Sequence, residues 1–110
     1  MLGVDVVDVE RLRTTLARSP GLESRLFSES ERTYCADHTD PARHLAGTLA
    51  AKEAVIKALD LGTLVGWARR IEVERRPSGQ PVATVDGRVV PVSISHDGGV
   101  AVAVALAMNP

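Results

Sequence analysis

Three short stretches of this 110-residue chain hold residue types that can do chemistry, at spacings that would let them do it. The first is Gly3-Val4-Asp5-Val6-Val7-Asp8, where Asp5 interrupts an alternating run of apolar neighbours. A carboxylate placed there loses several kcal/mol of hydration unless a partner replaces it. Three environments would satisfy it: a bound metal, an Arg or Lys side chain, or an edge position open to water. The second stretch is Lys52-Glu53-Ala54-Val55-Ile56-Lys57. Glu53 and Lys57 are four residues apart, so on a helix they share a face with Ala46 and Ala50, whose small side chains leave room for a bulky ligand. Glu followed by Lys at this spacing is also the ordinary surface pair of any helix. What singles it out is Asp5, because two carboxylates from separate elements are the minimum that a phosphate-bound Mg²⁺ asks of a protein. Lys57, one turn further on, would then meet the phosphate charge. The third stretch is Val92-Ser93-Ile94-Ser95-His96-Asp97, an alternating strand that ends in Ser95 and His96 before Gly98-Gly99. Polar side chains at a strand end face either a site or solvent, and no His/Glu spacing here resembles a zinc-binding helix. His38 and His44 carry no such signal.

The elements that must position these residues follow from periodicity and punctuation. Leu2 to Val9 alternates as a strand buried on one face, and Glu10 to Arg18 follows as a short helix ended by Pro20-Gly21. Ser28 and Glu31 have the spacing of a capping box, which predicts a helix from Glu29 to about Asp37. Asp40 can cap the next helix, with Pro41 in its first position, where a missing N–H costs nothing. That helix, Ala42 to Leu59, is the longest pattern in the chain and carries Leu45, Leu49 and Ile56 along one stripe. Strands are predicted over Arg70 to Arg75, Val82 to Val85, Val89 to Ser95 and Val100 to Leu106, joined by Pro77 to Gly79, Asp86-Gly87 and Asp97-Gly98-Gly99. Strand, helices, then hairpin-linked strands is an α+β pattern, with the long central helix packed on a mostly antiparallel sheet.

Size and composition set the frame. The length suits one domain over residues 1–110, and 45% hydrophobic residues are ample for its core. Aromatic bulk is scarce, with only Phe27, Tyr34 and Trp67, so part of the apolar surface is expected to be covered by a partner subunit. A formal net charge of -1 gives no footprint for nucleic acid. The single Cys35 excludes an internal disulfide and a cysteine zinc site, and the first residues form no basic leader. No apolar run approaches the roughly 20 residues that cross a bilayer. A cytoplasmic protein without membrane attachment is expected.

The motifs, taken together, resemble the holo-(acyl carrier protein) synthases, the small class of 4′-phosphopantetheinyl transferases. Gly3-Val4-Asp5-Val6-Val7-Asp8-Val9 resembles the family's opening Gly-Ile-Asp strand, and Leu26-Phe27-Ser28 with Glu31 its Phe-Thr-x-x-Glu segment. Ala50-Ala51-Lys52-Glu53-Ala54 with Lys57 resembles its Ala-Ala-Lys-Glu-Ala-x-x-Lys-Ala helix, and Ser93-Ile94-Ser95-His96 its closing Ser-Ile-Ser-His. Four pieces in the right order across most of a chain this size make a specific signal.

The resemblance implies that Asp5 and Glu53 ligate Mg²⁺ together with the pyrophosphate of coenzyme A, that Lys57 binds phosphate and assists departure of 3′,5′-ADP, and that Ser95 and His96 contact the nucleotide phosphates. The reaction implied is attack of a carrier-protein serine on the β-phosphate of coenzyme A, for an acyl carrier protein of fatty-acid or polyketide synthesis. It also implies a homotrimer with active sites between neighbours. Arg11, Arg18 and Arg25, at intervals of seven, offer a basic run toward an acidic carrier helix or else form an ordinary solvated face. The chain departs from the family in three places: Gly47-Thr48-Leu49 stands for Gly-Arg-Phe and so lacks a basic residue expected near the coenzyme A phosphates; Leu64 replaces a loop glycine; and only Asp86 to Pro91 stands where relatives carry a longer insertion. An alternative to the transferase is a non-catalytic trimeric relative that binds a carrier protein or nucleotide. A two-metal nucleotide hydrolase lacks its second carboxylate cluster.

Overall fold

In the computed structural model, which describes residues 1–108, a long helix lies across the inner face of a five-stranded sheet. The elements in chain order are β1 (Leu2–Asp8), α1 (Val9–Arg18), α2 (Leu22–Leu26), α3 (Glu29–Ala36), α4 (Pro41–Leu59), α5 (Leu64–Trp67), β2 (Ile71–Arg75), β3 (Pro81–Val85), β4 (Arg88–Asp97) and β5 (Val100–Leu106). The sheet runs β1-β5-β4-β3-β2, and every pairing is antiparallel. The expected α+β arrangement of a long central helix on an antiparallel sheet is therefore what forms. The expected domain end at 110 lies outside the described residues.

Small side chains explain how close helix and sheet come. Ala46, Ala50, Ala51 and Ala54 of α4 are fully buried, as are Ala101, Ala103 and Ala105 of β5 opposite them. Gly3 is the extreme case: a Cβ there would stand 2.0 Å from the Ala54 carbonyl oxygen and 2.8 Å from the Ala58 nitrogen. The β1 backbone thus rests directly on the helix, and strand alternation then turns Asp5 and Val7 to the same inner face. The outer face alternates differently. Leu2, Val4, Val6, Val89 and Leu106 are between 44% and 66% exposed there, an apolar face left uncovered by the described residues.

Several local expectations need correction. The first helix begins at Val9 rather than Glu10, because Asp8 caps it, accepting from the Arg11 N–H at 2.9 Å. Asp40 occupies the N-cap position of α4, yet its carboxylate is drawn away to a two-pronged pairing with Arg13 at 2.9 and 3.1 Å. The short helices α2 and α5 carry too few residues to show a period. Leu64, where the family pattern has glycine, is the first residue of α5. Asp86-Gly87 is a tight turn with Asp86 at φ 50 and Gly87 at φ 82, and β4 starts immediately after it, so the stretch to Pro91 is strand rather than loop.

Candidate active site

Asp5 and Glu53, 48 positions apart in sequence, line one cleft of about 490 Å³ together with Asp8, Arg11, Leu26 and Leu49. The cleft exists because β1 lies against α4 through Gly3, which places the inward-facing Asp5 beside the helix turn that carries Glu53. Ala46 and Ala50 are buried along the same helix row, Glu53 is half-buried, and Lys57 emerges at the solvent end. Lys57 Nζ donates to Asp5 Oδ1 at 2.9 Å and to the Val4 carbonyl at 3.1 Å. The cation expected beside Asp5 is therefore, in this structure, Lys57.

Glu53 has no ion-pair partner among the described residues. Burial, then the negative charge of Asp5, pushes its carboxyl above the ordinary range, with Lys57 opposing. Asp5 in turn raises the Lys57 ammonium, mainly through their hydrogen bond. A half-buried carboxylate held against a second one without its own counter-charge is a place where a divalent cation lowers the energy. With two carboxylates and, among the described residues, no group of three His, Cys, Asp or Glu placed to hold a metal, such a cation would need further oxygen ligands from water or a bound phosphate. The donor set thus fits a phosphate-bound Mg²⁺.

His96 reaches the same helix from β4. Its Nε2 lies 3.0 Å from the Arg43 carbonyl, and a Cβ on Gly47 would come within 2.8 Å of that nitrogen. Glycine at 47 is what lets the end of the ring come this close to α4. A second cleft, of about 310 Å³, is lined by Arg13, Asp40, Arg43, His96, Gly98 and Gly99, and adjoins the first at Val100. Burial holds the His96 imidazole below its ordinary value. Ser95 is not gathered with these groups. Alternation along β4 points it to the exposed outer face of the sheet, paired with Val102, while His96 points inward.

The sequence reading passed over the role of Lys52. Its ammonium is fully buried, 2.8 Å from Glu31 Oε1, and donates to the Leu26 and Ala68 carbonyls at 2.9 and 2.6 Å. Glu31 completes the capping box at Ser28 and also accepts from the Val73 N–H at 2.7 Å. One ion pair thereby ties α3, α4, β2 and the ends of α2 and α5 together, and its sequence signal was a charged residue amid Ala51 and Ala54. Thr48 is likewise internal: 1% exposed, it donates to the His44 carbonyl at 3.0 Å and touches Cys35 Sγ at 3.9 Å. It lines neither cleft.

Comparison with known proteins bears on the family and the fold. The model of the 4′-phosphopantetheinyl transferase superfamily matches residues 1–105. A holo-[acyl-carrier-protein] synthase of Salinispora arenicola is 40% identical over 96% of this chain and 95% of that protein. One of Clavibacter michiganensis is 42% identical over 93% and 89%. Among solved structures, the Helicobacter pylori holo-[acyl-carrier-protein] synthase in complex with coenzyme A superposes with a TM-score of 0.83 at 29% identity, covering 96% of this chain and 98% of that one. The Bacillus anthracis synthase in complex with CoA (3′,5′-ADP) gives 0.78 at 27% identity, over 94% and 91%. A match that spans both carboxylates, Lys57 and His96 places this protein, as an enzyme, in the 4′-phosphopantetheinyl transferase superfamily.

Proposed function

We propose that the chain, acting as a single domain, moves the 4′-phosphopantetheine arm of coenzyme A onto a serine of an acyl carrier protein. The observation that carries this is the meeting of Asp5 and Glu53 on one cleft, with Lys57 paired to Asp5. The coenzyme A bound to the Helicobacter pylori relative supports the choice of donor. Asp5 and Glu53 would hold Mg²⁺ against the coenzyme A pyrophosphate, where it supplies neutralising charge. Lys57 would leave Asp5 for the phosphate and stabilise negative charge on the departing 3′,5′-ADP. The serine oxygen gives up its proton to a base or water and forms its bond to the β-phosphorus as the pyrophosphate P–O bond to 3′,5′-ADP breaks, which requires the two oxygens in line. Leu26 and Leu49 give the cleft an apolar wall for the pantetheine chain. His96 would serve the nucleotide phosphates, whereas Ser95, on the opposite sheet face, is left out of this site.

The uncovered outer sheet face supports a homotrimer with sites between neighbours, which would bring one subunit's outer face toward another's cleft. Arg11 on the cleft rim is the residue of the basic run best placed to meet a carrier. Among the described residues no helix is long and apolar enough to cross a membrane, and Cys35 is free and buried; the proposed activity would place the chain in the cytoplasm, in fatty-acid or polyketide synthesis. The test is intact mass of an apo carrier protein incubated with the chain, coenzyme A and Mg²⁺. A gain of one phosphopantetheine, lost with EDTA, is expected. No gain on fatty-acid or polyketide carriers with folded protein would overturn the reading.

A further inference from the structure

All three histidines of the chain lie in one row. His38 and His44 stack with ring centroids 3.8 Å apart and 29° between planes, and His44 and His96 follow at 5.8 Å. Tyr34 packs on His38 at 4.7 Å and stands edge-on to His44 at 6.3 Å, with the Arg75 guanidinium 4.8 Å over its ring. A groove of about 160 Å³ opens along this row, lined by Tyr34, His44, Arg75, Gly79, Ile94 and His96 among others. The rings stack rather than converge, and among the described residues no three such groups are placed to hold a metal.

The charge of this groove is one-sided. Facing the row are Tyr34 from α3, His38 from the α3–α4 connection, Arg43 and His44 from α4, Arg75 from β2 and His96 from β4. Asp37, next to His38 in the chain, does not line the groove; it lies on the neighbouring hollow with Thr33, Tyr34 and Ala36. Burial comes first in holding His44 below its ordinary value, followed by His38, His96, Arg75 and Arg43, all of them cationic influences. Burial first, then the surrounding positive charge, disfavours the charged form of His44. An anion seated in the groove would reverse that balance, raise the imidazole pKa and draw a proton in with it.

We propose that Arg75 and protonated His44 supply the positive charge met by the nucleotide end of coenzyme A, in place of the basic residue absent at Thr48, so that binding takes up a proton. This rests on the transferase reading. His44 sits one helical turn before Thr48 on α4, and its carbonyl accepts the Thr48 hydroxyl. The groove shares His96 with the cleft that adjoins the Asp5–Glu53 site. Because the proton is taken up on binding, coenzyme A affinity rises as pH falls through the histidine range, by at most about tenfold per pH unit for one proton.

The experiment is calorimetric titration of coenzyme A with Mg²⁺ into the full chain between about pH 6 and 8, in two buffers of different ionisation enthalpy. His44→Phe keeps an aromatic ring for the stack and removes the proton. Comparing it with the unsubstituted chain cancels the titration of coenzyme A's own phosphates. The unsubstituted chain is expected to take up more protons per coenzyme A than H44F and to gain more affinity toward low pH. Arg75→Met is expected to weaken binding about tenfold at every pH. If H44F loses its fold by circular dichroism, His44→Gln is read the same way. Equal proton uptake and equal pH slope in folded variant and parent would overturn the proposal while leaving the transferase reading standing. No coenzyme A binding by the unsubstituted chain, together with no mass gain on a carrier, would remove the transferase reading itself.

Discussion

Lys57 Nζ lies 2.9 Å from Asp5 Oδ1, so the carboxylate assigned to a metal is already paired with the cation assigned to phosphate. If the proposed roles hold, ligands must open this pair. Lys57→Ala frees Asp5 and should tighten Mn²⁺ binding to the chain alone, while transfer falls on the order of 10²-fold through loss of charge at the phosphate. The Lys57 side chain is 55% exposed, so thermal stability should barely move. Unchanged transfer in K57A would remove Lys57 from the machinery.

Glu53→Gln keeps the shape of the side chain and removes its charge. Transfer should be abolished with the melting temperature preserved or raised, because burial and Asp5 already disfavour the ionised form. For the parent chain the same shift gives a pH dependence. A metal needs Glu53 ionised, and its pKa is raised, so metal affinity should climb with pH through that raised value and level off above it. Manganese titration followed by paramagnetic relaxation reads this directly; a flat profile that E53Q does not alter would contradict the assignment.

The fully buried Lys52–Glu31 pair predicts a stability effect separate from chemistry. Lys52→Met leaves Glu31 charged and without its ammonium partner, and Glu31→Gln does the converse; each should cost about 3–5 kcal/mol. The double substitution should cost much less than the sum, since neither charge is then stranded. Urea denaturation of the four proteins checks it, and strict additivity would show that the two groups do not act as a pair.

Gly3 and Gly47 should part company. Gly3→Ala drives a methyl group into the Ala54 carbonyl, an immovable backbone atom, and should cost about 3 kcal/mol or more. Gly47→Ala meets the end of the His96 ring and the Ile94 Cγ2, at 2.8 and 2.9 Å, while alanine favours the helix by about 1 kcal/mol. G47A should therefore stay folded yet bind coenzyme A more weakly, because His96 must move. Thermal melts alongside coenzyme A titrations separate the two outcomes.

Much of this protein was legible in the residues themselves. The Ser28/Glu31 capping box, Pro41 at the start of α4, the alternation of Val100–Leu106 and the Asp86-Gly87 turn are local signals, set by hydrogen bonding and side-chain period within a few residues. The order of the four motifs likewise pointed to the family, and Asp5, Glu53 and Lys57 to one site. Local signals are silent about which distant groups compete for a side chain. Asp40 had the right type and position to cap α4, but Arg13 from α1 claims its carboxylate. Ser95 and His96 are neighbours in sequence and lie on opposite faces of the sheet, and only the packing of β4 on α4 decides which face is the inside. His38 and His44 looked ordinary because stacking is a property of two elements folded together, not of either one. Amino-acid order determined the elements and the family, because those depend on short-range periodicity. Tertiary structure decided which charges are paired, which are stranded and which rings meet, because burial and electrostatics act between atoms brought close only by the fold.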